Sequence, residues 1–239
     1  MNILVTGGAG FIGSHLVDTL VEAGHDVTVL DDLSSGRKEY VNQAARFCQG
    51  DVRDTEALDR LFAGTAFDVV FHGADKTQAP CSMLHPREEA DVSILGLINV
   101  LEHCRRHDVK KILLSSSAAV YGNQEKGLAD ETAPVQPQSF YGLTKAAAEA
   151  YAALYHRMYG LPYAVLRYAN VYGERQGSGT EDGVVSLFSR ALAAGNPMTI
   201  YGDGNQSRDF IYVRDAASAS MAAMAADVPS GIYNISTKI

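Results

Sequence analysis

The chain opens with a short apolar run that leads directly into a glycine-rich turn, and this feature constrains the fold more than any other. The run ILV is followed by TGGAGFIG at residues 6–13. In such a turn Gly7 permits the tight bend, Gly10 lets a pyrophosphate approach the backbone, and Gly13 lets the next helix lie close to the strand. We therefore predict a strand, a turn and a helix over Phe11–Val21 whose first N–H groups face a phosphate.

An acidic residue follows the second apolar run at a distance typical of dinucleotide-binding units. Asp31 comes directly after Val27–Leu30 and lies 18 residues beyond Gly13. A carboxylate there accepts both hydroxyls of an adenine ribose and repels a 2′-phosphate, which favours NAD over NADP, although Arg37 keeps NADP open. The cofactor-binding residues predicted from this segment are Gly7, Gly10, Phe11, Ile12, Gly13 and Asp31.

Composition excludes several classes of protein. The 239 residues carry a net charge of −8 and show no basic stripe, which argues against a nucleic-acid partner. No apolar run approaches 18 residues, so we expect no membrane span, and the first apolar run belongs to a strand rather than to a signal peptide. Three widely spaced cysteines indicate reduced thiols and a cytoplasmic protein. His103 and His107 share a helix face, but the arginines between them favour a solvated helix end, and we predict no metal site.

Strand-like and helix-like segments alternate through the first two thirds of the chain, which predicts an α/β fold with a doubly wound parallel sheet. A ligand then lies outside the carboxyl ends of the strands. The predicted strands are Ile3–Val5, Val27–Leu30, Phe47–Gln49, Val69–His72, Ile112–Ser115 and Ala164–Arg167. The predicted helices are Phe11–Val21, Thr55–Phe62, Glu88–His107 and Tyr141–Tyr159.

The pattern changes after Arg167, and the remaining segments are too short for a core of their own. We predict a dinucleotide-binding domain over residues 1–170, with a later contribution from about 206–227, and a partial substrate-binding lobe over 171–239. The later elements expected are a helix over Gly183–Ala194, a short strand and turn over Met198–Asn205, a helix over Asp215–Ala226 and a last strand over Ile232–Ser236.

A serine, a tyrosine and a lysine are predicted to meet at the carboxyl end of the sheet. Tyr141 and Lys145 are four residues apart on one helix face, and Ser115–Ser117 end the strand before that helix. The ammonium of Lys145 would favour the phenolate and lower the pKa of Tyr141 below its usual value near 10. Tyr141 would then accept a proton from an alcohol while hydride leaves the same carbon.

These motifs make the chain similar to extended short-chain dehydrogenase/reductases of the NAD-dependent epimerase/dehydratase family, and within it most similar to UDP-glucose 4-epimerases. The resemblance covers essentially the whole chain and implies a Rossmann-type fold. The matching segments are TGGAGFIG (6–13), DDLSSGR (31–37), GDVRD (50–54), SSSAAVYG (115–122), YGLTK (141–145), RYANVYG (167–173), YGDGNQSRDFIYVRD (201–215) and YNIS (233–236).

The resemblance implies a role for each matching residue. Tyr141 is the base, Lys145 holds the ribose hydroxyls, and Ser117 bonds to the reacting sugar oxygen. The residues implied to contact the nucleotides are Asp51 and Val52 for the adenine, Asn170 and Arg208 for the substrate diphosphate, and Tyr201 for the substrate base. Related 4,6-dehydratases carry Asp-Glu after the serine, whereas this chain has Ala118 and Ala119, which move no protons and argue against dehydration.

The expected activity is therefore C4 inversion of a UDP-hexose with tightly bound NAD, in a homodimer formed through helices 88–107 and 141–159. Two alternatives stay open: a non-catalytic NAD and nucleotide-sugar-binding protein, and an NAD(P)-dependent keto-sugar reductase. Relatives usually continue for several tens of residues beyond YNIS, which favours the first alternative. Other departures from the family are Asp75 and Lys76, which either pair with each other or alter cofactor affinity, and Ser93, which replaces a common Asn.

Overall fold

The computed structural model describes residues 1–75, 79–123, 129–177 and 183–238. In this part of the chain seven parallel strands form one sheet, in the order β3-β2-β1-β4-β5-β6-β9, and β7 pairs with β8 in a separate two-stranded sheet. The strands are β1 (Asn2–Thr6), β2 (Asp26–Asp31), β3 (Arg46–Gln49), β4 (Val69–His72), β5 (Lys111–Ser117), β6 (Tyr163–Tyr168), β7 (Asn170–Tyr172), β8 (Phe210–Tyr212) and β9 (Gly231–Ile235). The strand order reverses between β1 and β4, which creates the crevice where such sheets bind ligands.

Helices cover both faces of the main sheet, as the alternating sequence pattern predicts. They are α1 (Phe11–Glu22), α2 (Thr55–Gly64), α3 (Ala79–Leu84), α4 (Pro86–Ala90), α5 (Gly96–Arg106), α6 (Phe140–Tyr159), α7 (Val184–Ala193) and α8 (Val213–Ala223). Across the described ranges, no helix combines the length and apolar character that crossing a bilayer requires.

Strands β1 and β4 contribute side chains to two separate cores, because successive side chains of a strand point to opposite faces of the sheet. Leu4 of β1 and Val70 of β4 pack under α2, α5 and α6, whereas their neighbours Ile3, Val5 and Phe71 pack under α1 and α8. Burial on both faces explains why these strands appear in the sequence as continuous apolar runs. The prediction of a doubly wound parallel sheet is confirmed.

The single helix predicted over Glu88–His107 is wrong in detail. The segment begins at Pro86, where the proline occupies the first turn of α4, and a π-helical turn over Asp91–Leu95 separates α4 from α5. Within this wide turn Ser93 is buried and its hydroxyl donates to Glu89, 3.2 Å away. Hydrophobic periodicity does not reveal such an inserted residue, because apolar positions continue on either side of it.

The short strand predicted within Met198–Asn205 is also wrong. Residues 198–201 have no regular structure, and only the predicted turn is present, where Gly202 and Gly204 have φ of +78° and +80°. The small sheet forms instead between β7 and β8. The last strand, β9, pairs with β6 in the main sheet, although the sequence-based division groups it with the smaller lobe. The division into two domains therefore stays a prediction.

Candidate active site

The glycine turn between β1 and α1 lies at the crevice beside β4. Gly7 has a φ of +72°, and a Cβ there would come within 2.7 Å of the carbonyl carbon of Gly73. A Cβ on Gly13 would clash with the carbonyl oxygen of Gly7, so α1 can approach the turn this closely only with glycine at that position. Gly10 is the N-cap residue of α1, so no side chain accepts a hydrogen bond from the first N–H groups of the helix. No acidic residue of the described chain lies in its first turn. The N-terminus of α1 is therefore suited to an anion.

Asp31 lies at the end of β2 with its carboxylate against the glycine turn. Its Oδ2 accepts the N–H of Ala9 and its Oδ1 accepts the N–H of Leu33, both at 2.9 Å. Burial raises the pKa of Asp31, while these two backbone hydrogen bonds lower it in opposition. The carboxylate is thus fixed in orientation at the cleft wall, as recognition of a ribose diol requires.

Asp51 and Val52 line the same cleft after β3. The Arg53 guanidinium binds Asp51 at 2.6 Å and Asp91 of the π-helical turn at 2.8 Å. Val52 is buried, and Asn99 of α5 donates to its carbonyl oxygen at 3.1 Å. These contacts hold the loop after β3 in place at the end of the cleft where the sequence predicts the adenine.

Ser117, Tyr141 and Lys145 meet at the other end of the cleft. Ser117 ends β5, and its Oγ accepts the N–H of Ala119 at 3.1 Å. Tyr141 and Lys145 lie in the first turns of α6, which begins at Phe140 because the hydroxyl of Ser139 accepts the N–H of Gly142 and caps the helix. The ammonium of Lys145 lies 5.7 Å from the centre of the Tyr141 ring and donates to the Ser115 carbonyl at 2.5 Å.

Asp75, which the sequence marks only as a departure from the family, forms an ion pair with Lys145. The side chains of Lys145 and Asp75 are 6% and 8% exposed, so this pair is nearly dry. From the sequence, Asp75 is expected either to pair with Lys76 or to alter cofactor affinity. Lys76 lies outside the described residues.

A second buried ion pair lies behind the site and was missed by sequence reasoning. Arg167 of β6 makes a two-pronged contact with Glu149 of α6, at 2.9 and 2.6 Å. Glu149 also accepts the hydroxyl of Ser116 at 2.6 Å, and Arg167 donates to the phenol of Tyr121 at 2.8 Å. The only signal in the sequence is an arginine that ends the apolar run of β6, which could equally be a strand end in water.

The predicted substrate residues are not all brought together. Asn170 lines the cleft, and its amide donates to the Asp209 carbonyl at 3.0 Å. Tyr201 and Arg208 do not line it within the described part of the chain, and Tyr201 is 82% exposed. Their roles stay predictions. His103, predicted at a solvated helix end, is instead buried and contacts the carboxylate of Asp59 at 2.9 Å.

The residues present fit a dinucleotide. One cavity of about 510 Å³ runs from the glycine turn past Asp31 and Asp51 to the serine, tyrosine and lysine. Its lining includes Gly7, Gly10, Phe11, Ile12, Gly13, Asp31, Asp51, Val52, Asp75, Ser117, Tyr141, Lys145 and Asn170. It offers an uncapped helix N-terminus for the pyrophosphate, a fixed carboxylate for a ribose and a tyrosine–lysine pair at the far end.

A doubly wound sheet with this cleft defines a nucleotide-dependent enzyme of the short-chain dehydrogenase/reductase type. The model of the NAD dependent epimerase/dehydratase family matches residues 3–236, and the chain belongs to that family.

Named relatives extend over most of the chain. A putative UDP-glucose 4-epimerase of Methanocaldococcus jannaschii is 46% identical over 98% of this chain and 76% of its own length. A UDP-glucose 4-epimerase of Mycolicibacterium smegmatis is 40% identical over 92% of this chain and 72% of its own.

Solved structures agree with these relatives. The UDP-glucose 4-epimerase of Thermotoga maritima with UDP-glucose has a TM-score of 0.97 and 41% identity, covering 100% of this chain and 78% of that one. The UDP-glucose 4-epimerase of Thermus thermophilus in complex with NAD has a TM-score of 0.94 and 41% identity, covering 99% and 78%.

Proposed function

We propose that this chain is a nucleotide-sugar 4-epimerase that inverts C4 of a UDP-hexose of the UDP-glucose/UDP-galactose type. The observation that carries the proposal is the meeting of Ser117, Tyr141 and Lys145 in one cavity with the glycine turn and Asp31. The substrate follows from the relatives, several of which are named UDP-glucose 4-epimerases.

The coenzyme of this family is NAD, which supplies a reversible acceptor for the hydride of C4 when bound. The uncapped N-terminus of α1 would hold its pyrophosphate, Asp31 its adenine ribose, and Lys145 its second ribose. Asp31 favours NAD over NADP because a 2′-phosphate would meet a carboxylate that is already fixed by two N–H groups.

The chain's own groups move and hold the proton. Tyr141 takes the proton of the sugar 4-hydroxyl, and Ser117 donates a hydrogen bond to the same oxygen. After the 4-keto sugar has turned over in the pocket, Tyr141 returns the proton on the other face. Lys145, nearly excluded from water, favours the charged form of the phenol.

The residues after Ser117 favour epimerisation over dehydration. Ala118 and Ala119 form a short 3₁₀ turn with Val120 and Tyr121 at the end of β5, in the positions where related dehydratases carry an acid pair. Methyl groups supply neither the acid nor the base that the loss of water from C5 and C6 needs. Inversion at C4 needs one base.

We also infer a homodimer through α6 and the segment 86–106. Large apolar side chains stay exposed along one face of α6 at helical spacing, namely Leu143, Leu154 and Met158. An exposed apolar stripe of this kind is typical of a contact with another chain. Light scattering on the purified protein gives the oligomeric state directly, and a monomer at micromolar concentration would contradict the inference. The cytoplasmic location stays a prediction.

Turnover of UDP-galactose separates the candidate functions. The purified protein is incubated with UDP-galactose, with and without added NAD, and the products are resolved by chromatography. We expect UDP-glucose without accumulation of NADH, and Tyr141→Phe as the inactive control. NADH in amounts equal to the product would support the reductase alternative, and nucleotide binding without product would support the non-catalytic one.

A further inference from the structure

The Asp75–Lys145 ion pair adds a third charged group to the tyrosine–lysine pair of the active site. Asp75 follows β4 and Lys145 lies on α6, so the contact joins segments 70 residues apart. Both groups line the cavity that also contains Tyr141, and both side chains are almost fully buried. A carboxylate in this position is bound to the cation on which the ionisation of Tyr141 depends.

The other charged and titratable groups near this end of α6 have partners of their own. Glu149 binds Arg167, and Glu89 of α4 accepts the hydroxyl of Thr144 at 2.8 Å. Burial, aided by the charge of Lys145, lowers the pKa of His72 to about 3, so this ring is neutral near pH 7. The groups concerned are His72, Asp75, Glu89, Glu149 and Arg167, and of these Asp75 is the one in direct contact with the Lys145 ammonium.

Electrostatics gives the sign of the effect. A positive charge near a phenol favours the phenolate, and a negative charge disfavours it. Because the side chains of Lys145 and Asp75 are nearly excluded from water, their interaction is weakly screened, so a carboxylate in contact with the ammonium cancels much of its influence on a third group. Asp75 thus opposes the effect of Lys145 on Tyr141.

We propose that Asp75 is a positioning residue that holds Lys145 against the end of β5 and offsets the charge that Lys145 presents to the Tyr141 hydroxyl. The inference deepens the proposed function, since it rests on Tyr141 as the base. Its consequence is that Tyr141 ionises at a higher pH in this chain than it does when residue 75 is neutral.

Tyrosine NMR measures this ionisation without turnover. Protein labelled with ¹³C at the tyrosine Cζ is titrated with and without NAD, and the Tyr141 signal among the 12 tyrosines is assigned with Tyr141→Phe. In Asp75→Asn and Asp75→Ala we expect the pKa of Tyr141 to fall by about one pH unit. This is the lower end of the one- to three-unit shift that an adjacent charge typically causes, because Asp75 contacts Lys145 and not the phenol. The pH profile of epimerase turnover should move to lower pH by the same amount.

Conservative and matched variants separate charge from folding. Asp75→Glu keeps the carboxylate and should titrate close to the unsubstituted protein. Glu56→Gln removes one negative charge from an exposed position on α2 and should change nothing. Circular dichroism checks the fold of each variant, and if Asp75→Ala fails to fold, Asp75→Asn still gives the result.

The proposal is overturned if Tyr141 in Asp75→Asn titrates at the same pH as in the unsubstituted protein, or at a higher pH. It is equally overturned if Asp75→Glu shifts as far as Asp75→Asn, since the effect would then not depend on charge. A protein without epimerase activity whose Tyr141 signal moves as expected would refute the proposed function while supporting this inference.

Discussion

Gly10→Ala should weaken NAD binding strongly while leaving the fold intact. The φ and ψ of Gly10 are −80° and −177°, a conformation that alanine adopts without strain. The carbonyl oxygen of Gly7, at 3.2 Å, is the nearest described atom to an added Cβ. The destabilisation caused by this tight contact is offset by a gain in stability of about 0.4–1 kcal/mol, because alanine restricts the conformations of the unfolded chain. For a chain of this size 1 kcal/mol corresponds to about 2–4 °C, so we expect Tm to change by less than about 4 °C.

The same methyl group should weaken NAD binding strongly. Gly10 lines the cavity at the N-terminus of α1, and the added carbon would occupy the space through which a pyrophosphate reaches the backbone N–H groups. We expect a Kd about 10- to 100-fold higher, equivalent to about 1.4–2.8 kcal/mol. Isothermal titration calorimetry of NAD into nucleotide-free protein measures this change, and differential scanning fluorimetry measures Tm.

Two other glycines provide controls. A Cβ at Gly64, at the end of α2, meets no described atom within 4 Å, so Gly64→Ala should leave Kd unchanged and raise Tm by no more than about 4 °C. A Cβ at Gly13 would lie 2.9 Å from the carbonyl carbon of Gly7, so Gly13→Ala should lower both stability, by about 1–3 kcal/mol, and NAD binding. Normal NAD binding by Gly10→Ala, or a fall in its Tm as large as that of Gly13→Ala, would refute the reasoning.

Three further predictions concern side chains of the site. Tyr141→Phe should lose about 10²–10⁴-fold in epimerase turnover while NAD affinity, measured by calorimetry, is retained. Glu149→Gln leaves the buried guanidinium of Arg167 without its counter-charge and should lower the free energy of urea unfolding by about 3–5 kcal/mol, and a loss below about 1 kcal/mol would contradict this. His72 has its pKa lowered by burial from 6.5 to about 3, so the unfolded chain takes up the proton first as pH falls. Its contribution to stability is complete above pH 6.5 and is lost progressively as pH falls from 6.5 to about 3. In urea unfolding, His72→Gln should therefore lose about 2 kcal/mol less stability than the unsubstituted protein between pH 7 and pH 5.

Features that depend on neighbouring residues could be predicted from the sequence. The glycine turn, the acid after β2 and the tyrosine–lysine spacing on α6 each lie within one strand–turn–helix segment, where local geometry decides the position. The parallel sheet follows from the alternation of such segments. Ser117 could also be placed beside Tyr141, because all strands of a parallel sheet end at the same edge.

Features that depend on distant pairs could not be predicted. The partner of Asp75 is Lys145, 70 residues away, and the partner of Glu149 on α6 is Arg167 on strand β6. A charged residue in an apolar segment shows only that something must compensate it, not which group does. The strand expected near Met198 failed for a related reason, since pairing with another strand decides whether a short apolar run is extended.

The three serines that end β5 explain how α6 is held at a fixed position over the sheet. The carbonyl of Ser115 accepts the Lys145 ammonium, the hydroxyl of Ser116 donates to Glu149, and Ser117 faces the cavity. Glu149 lies one turn beyond Lys145, so α6 is attached to β5 at two successive turns. Tyr141, one turn earlier, is therefore positioned relative to Ser117 by contacts in which its own hydroxyl takes no part. Because these contacts remain when the hydroxyl is removed, a loss of turnover in Tyr141→Phe reports the chemistry of the phenol rather than a displaced helix.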